Sequence, residues 1–267
     1  MSPSHDTTRQ PLLEVAVETL QEAVQAELAG AQRLEVCMAM SESGLTPSIG
    51  LVSAILEHVD IPVFVMIRPR GGDFTFDDDD LDVMRRDIDA MRSAGAHGIV
   101  SGVLNHAGGI DAESTRKLVE AAAPLPFTFH RAFDLVPQLE PALAQLRSIG
   151  VRRVLTSGGA STAIVGADAI ARLGQQTGGA LSLIAGGGVR AGHAAELVQR
   201  SGVGEVHARP TLSRSSGTFA RRDLTLGAAI PQPERNALDA AAVRALVREL
   251  ASLPDDQEAA TGPRRGR

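Results

Sequence analysis

Short runs of β-branched and apolar residues alternate with amphipathic stretches about eight times along this chain. The runs at 12–17, 33–37, 63–68, 98–101, 127–130, 153–157, 181–185 and 205–208 have the length and composition of strands. Between them, stretches such as 82–94 and 138–149 space their apolar residues three and four apart, which predicts helices, and 240–250 closes the series. Eight strand–helix units within about 240 residues predict an α/β fold, a single (β/α)8 barrel of the TIM type.

An internal repeat favours the barrel over a doubly wound open sheet. Ahead of strands two, four, six and eight, a glycine precedes a small apolar residue: Gly30 and Ala31, Gly95 and Ala96, Gly150 and Val151, Gly202 and Val203. A glycine at a helix end suits a left-handed cap. Ahead of strands one, three and five stands a proline instead: Pro11, Pro62 and Pro126. Counting five residues past each glycine gives Glu35, Val100, Leu155 and His207; counting seven gives Cys37, Gly102, Ser157 and Arg209. Strand side chains alternate, so these sets share a face. Glu35 and His207 suit the barrel axis better than an apolar helix layer. By the same alternation Thr128, His130 and Arg68 point inward, and Glu14 does so provisionally.

Composition narrows the picture further. The chain has 267 residues, 43% hydrophobic, with no Trp or Tyr, so its core rests on Val, Leu, Ile and Ala. The single cysteine excludes an internal disulfide and a Cys-rich zinc cage, and makes the cytoplasm the expected location. A net charge of −6 argues against nucleic-acid binding, and no apolar run is long enough for a membrane span. Residues 1–10 and 253–267 read as disordered polar tails around one domain, 11–252, with 211–239 an irregular segment before the last helix. Nothing indicates a nucleotide cofactor.

Active sites of such barrels lie at the carboxyl ends of the strands. There the sequence gathers Glu35, Cys37, Arg68, Arg70, His130, Arg131, Ser157, His207 and Arg209. Glu35 and His130 suit an acid/base pair, with His207 orienting one of them or donating to an oxyanion. Arg68, Arg70, Arg131 and Arg209 suit a small anionic ligand, since guanidinium forks bind carboxylate and phosphate bidentately. Arg68 paired with Glu35 or Glu14 as filling is the plainer alternative. Glycine-rich turns follow strands six and seven, so Ser157 and Gly187 join the candidate anion site. The Asp77–Asp80 run reads as a helix start rather than a metal tether.

Several segments resemble the CutC family, described as copper homeostasis proteins. They are Ser43–Ser48 (SGLTPS), Val65–Phe74 (VMIRPRGGDF), Thr128–Asp134 (TFHRAFD), Arg153–Gly159 (RVLTSGG), Gly186–Val189 (GGGV) and Val206–Arg209 (VHAR). The resemblance implies a TIM-type barrel, cytoplasmic and homo-oligomeric (dimer or tetramer), with copper handling as its function. Copper is then the possible cofactor, and Cys37 the candidate Cu(I) ligand with Met66 or Met40 as thioether partner, because Cu(I) prefers soft sulfur. The alternative is an isomerase- or lyase-type enzyme acting on a small anionic metabolite at the same mouth.

Overall fold

A computed structural model describes residues 10–215 and 234–253. The chain runs β1 (Leu12–Val17), α1 (Leu20–Leu28), β2 (Arg33–Val36), α2 (Ile49–Leu56), β3 (Val63–Met66), α3 (Asp78–Ser93), β4 (Gly98–Ser101) and α4 (Ala112–Ala122). The second half continues as β5 (Phe127–Phe129), α5 (Leu139–Ser148), β6 (Arg153–Thr156), α6 (Ala167–Gln176), β7 (Ser182–Gly186), α7 (Ala194–Ser201) and β8 (Glu205–Ala208). Strands β1 to β8 are parallel and close into a barrel, β8 pairing back onto β1. The expected (β/α)8 architecture is therefore present, and the open-sheet alternative is excluded.

Local chemistry sets the element ends. Thr19, Ser48, Asp77, Asp111 and Asp239 each cap a helix by accepting a backbone N–H in its first turn. Asp77 does this for α3, the role expected of the aspartate run. The four repeat glycines, Gly30, Gly95, Gly150 and Gly202, have φ of 99°, 96°, 90° and 70°, the left-handed caps predicted for them.

Two cores result. Outward-facing Val15, Leu34, Val65, Ile99, Phe129, Val154 and Val206 pack under the helices. Fully burying a side chain such as Phe129 contributes about 2–3 kcal/mol. Inside the barrel, a smaller cluster joins Cys37, Phe64, Met66 and Val100. The face assigned by the glycine count thus points inward. At the amino-terminal ends of the strands an ionic floor closes the barrel. Arg33 pairs with Glu14 and Glu205, and Arg153 with Glu205. Both guanidiniums stack on Phe64, at 5.0 and 5.2 Å from its ring centre.

Two expectations change. Cys37, Arg68, His130 and Ser157 lie just past their strands rather than in them, because the chain leaves the ladder at the mouth. The segment 211–239, expected to be irregular, carries β9 (Thr211–Ser215) and β10 (Glu234–Leu238), paired antiparallel ahead of α8 (Ala240–Ala251). Their ladder supplies the regularity that an apolar alternation would have signalled, and Leu238 is buried against the barrel. The tails expected at 1–10 and 253–267 lie, apart from Gln10 and Leu253, outside the described residues.

Candidate functional site

A cavity of about 930 Å³ opens at the carboxyl ends of the strands. Glu35, His130, His207, Arg131, Gly187 and Arg209 all line it, together with Met40, Met66 and Phe74. Five of the nine residues expected at the mouth therefore share one chamber, with Gly187 beside them.

At its base, β8, β1 and β2 bring acids and a histidine together. Glu14 pairs across the ladder with His207 on one side and Arg33 on the other. His207 Nδ1 lies 2.7 Å from Glu14 Oε1 and 4.0 Å from Glu35 Oε2. Burial alone would raise the Glu14 carboxyl, but the His207 hydrogen bond and the nearby positive charges outweigh it and bring Glu14 to about 2. Glu35 has no such support. Burial pushes it up to about 7; His207 opposes the rise and the charge of Glu14 adds to it. Its Oε2 is shielded and accepts no hydrogen bond. Burial lowers His207, yet the charges of Glu35 and Glu14 and the Glu14 hydrogen bond hold it above its ordinary value.

His130 follows β5. Its Nδ1 accepts from the N–H of Ala132 at 3.3 Å, which leaves the proton on Nε2. Nε2 is buried without a partner. Burial, reinforced by the charge of Arg68, lowers the imidazole to about 3. His130 is thus a neutral N–H donor. Phe74 packs edge-on against its ring, centres 5.0 Å apart.

The sulfur atoms form the third group. Cys37 Sγ lies 3.2 Å from Met40 Sδ. Ala39, at φ 50°, takes a left-handed turn that is rare for a residue with a side chain and folds Met40 back over the end of β2. Met40 N–H donates to Glu18 Oε1 at 2.9 Å, and Arg209 pairs with Glu18. Met66 completes the cluster on the adjacent strand. Met38 is exposed and faces away. Burial, then the charge of Glu35, pushes the Cys37 thiol far up.

The arginines divide. Arg131 remains at the cavity wall, donating to Asp134 and Ser157, and a side chain on Gly187 would meet its guanidinium at 3.0 Å. Arg68 is buried and pairs with neither Glu35 nor Glu14; it donates to the carbonyls of Glu42, Gly44 and Gly72. It ties two loops together rather than facing the cavity. Arg70 lies outside, held by Asp73 and Asp80 over the Phe76 ring. Two glycines beside it suggest an anion loop in sequence, but the aspartates nearby claim its charge. Ser157 is turned into the wall by Asp134 and the Ala160 carbonyl.

Sequence reasoning missed Asp134 as an organiser. Its carboxylate accepts from the Ser157 and Gly159 N–H groups and from Thr156 Oγ1. Its place at the end of the "TFHRAFD" segment was the available signal. It also left Glu14 provisional, because strand one lacks the glycine marker that fixes the count elsewhere.

Closed parallel sheet, helical layer and polar chamber at the strand ends define the class: a TIM-type barrel with a cavity at its mouth. The sequence pattern of the CutC family matches residues 11–211. The chain belongs to the CutC family. It is 47% identical over 178 residues to a copper homeostasis protein cutC homolog of Homo sapiens, covering 67% of this chain and 65% of that relative, just under two thirds of its length. The Mus musculus homolog of the same name is 41% identical over 224 residues, covering 84% of this chain and 82% of the relative. A crystal structure of CutC from Streptococcus agalactiae superposes with a TM-score of 0.71 at 31% identity, covering 74% of this chain and 97% of that one. Among the described residues, no helix is long and apolar enough to cross a membrane.

Proposed function

We propose that this protein serves copper homeostasis by holding Cu(I) on Cys37 and Met40 at the rim of the chamber. One observation carries the reading: a buried thiol and a thioether held 3.2 Å apart by a strained turn. Thiolate and thioether together select a soft monovalent ion over the harder cations of the cell. Met66 packs beside them and is the available third sulfur. Because burial holds the thiol protonated, copper uptake releases its proton, and the bound ion replaces that proton's charge in the apolar cluster. The relatives' names support the same role. A cytoplasmic homo-oligomer, with Arg131 and Arg209 facing a small anionic ligand, is the accompanying arrangement; the family resemblance supports the first part and the cavity lining the second. Isomerase- or lyase-type chemistry draws no support from the relatives.

Competition with a chromogenic Cu(I) chelator tests the proposal. Cys37→Ser is expected to weaken retention by about 100-fold or more and Met40→Leu by roughly tenfold, on ligand-preference grounds. Unchanged competition in Cys37→Ser would sink the site.

A further inference from the structure

Below the sulfur rim lies a second group of donors that the copper reading does not use. Glu14, Glu35 and His207 each offer one donor atom, and these atoms lie within 4.8 Å of one another. We propose that this trio is a separate cation site, built for a borderline divalent ion of the Zn(II) or Co(II) class, with a small anion as its exchangeable ligand.

Four observations support it. First, Glu35 is only 3% exposed, and its Oε2 points at the group with no hydrogen-bond partner. A shielded carboxylate oxygen with nothing to accept from is costly, and a cation removes that cost. Second, the donor set is two carboxylate oxygens and an imidazole nitrogen. Such a set prefers harder ions than the thiol and thioether above it do. Third, carboxylates outnumber guanidiniums in the ionic group around it. Glu14, Glu35 and Glu205 face Arg33 and Arg153, so once an incoming cation displaces the protons of His207 and Glu35 the group carries a net negative charge that the ion offsets. Arg33 also grips the other oxygen of Glu14, orienting that ligand as outer partners do at metal centres.

The fourth observation concerns access. Glu35 and His207 line the large cavity, so a bound ion would keep an open side toward solvent, as ions with exchangeable ligands do. His130 lines the same cavity with its unpartnered Nε2–H, a ready donor to an anion resting on that ion. The 2.7 Å separation of His207 Nδ1 from Glu14 Oε1 is that of a hydrogen bond. The cation takes the place of the proton now linking them, and the two atoms part slightly to admit it.

Co(II) is the probe. Added to the metal-free full chain, it is expected to bind with one equivalent and to give visible d–d absorption without a thiolate charge-transfer band. That spectrum should persist in Cys37→Ser and disappear in Glu35→Gln. Glu35→Asp, which keeps the charge but withdraws it, should weaken binding roughly tenfold and guards against a folding defect in the amide variant. Circular dichroism on each variant checks the fold. The proposal is overturned by absence of the d–d band in the wild type, by its persistence in Glu35→Gln, or by a charge-transfer band lost in Cys37→Ser. Failure of the Cu(I) proposal leaves this test intact, since the two sites share no ligand.

Discussion

Gly98 shows how little slack the barrel interior has. It faces Phe64 on the neighbouring strand, and a methyl group placed on it would lie 2.5 Å from the ring. Gly186 stands in the same relation to Leu155, again at 2.5 Å. Each small residue makes room for a large one across the ladder, as dense interiors require. Gly98→Ala should therefore destabilise the protein by about 1–3 kcal/mol, an overpacking cost, measured by urea unfolding. An unchanged midpoint would show that Phe64 moves freely, and with it the floor that stacks on its ring. At this scale the sequence was partly legible. Period-two alternation placed Glu35, His130 and His207 on one face, because alternation is a property of the backbone alone. It turned Arg68 inward too, but it could not give the partners of Arg68 or Arg70, which depend on where long flexible side chains reach.

Among elements, the loops after β2 and β3 depend on Arg68. Its guanidinium spans carbonyls from both, at Glu42, Gly44 and Gly72, while Phe74 lies 4.5 Å beneath it. A lysine ammonium is a point charge without that fork. Arg68→Lys should cost about 2–3 kcal/mol from lost charged hydrogen bonds. It should also speed proteolysis within 38–45 and 69–74 while the far-ultraviolet circular dichroism of the barrel is retained. Mapped cleavage that avoids both loops would refute the clamp. Strands and helices of the barrel were readable because each has its own periodicity and cap. The β9–β10 pair was not. Its residues Thr211–Ser215 and Glu234–Leu238 are mostly polar, and their order comes from pairing with each other across a long stretch of chain.

For the whole molecule, two buried groups pull stability in opposite directions as pH changes. Glu35 stands at about 7 when folded against an ordinary 4.5, so the folded state holds the extra proton between those values. Its contribution is full below 4.5 and lost as pH rises toward 7. His130 stands at about 3 against 6.5, so the unfolded state holds the extra proton there. Its contribution is full above 6.5 and lost as pH falls toward 3. Between pH 4.5 and 6.5 the two nearly cancel, each being worth about 3 kcal/mol over that span. In metal-free protein, Glu35→Gln should make stability fall as pH drops from 6.5 to 4.5, and His130→Asn should make it rise. Denaturant unfolding at three pH values reads the slopes, and parallel curves for all three proteins would contradict the assignment.

The ionic floor has a consequence for traffic. None of Arg33, Arg153, Phe64 or Glu205 lines the chamber, and together they seal the end of the barrel opposite the mouth. The interior is a cul-de-sac and not a conduit. Whatever is delivered must leave by the doorway it came through, past Met40 and Arg209 both times. If the proposed copper role holds, a donor and a recipient would dock at one doorway and take turns, with cargo handed over rather than flowing through.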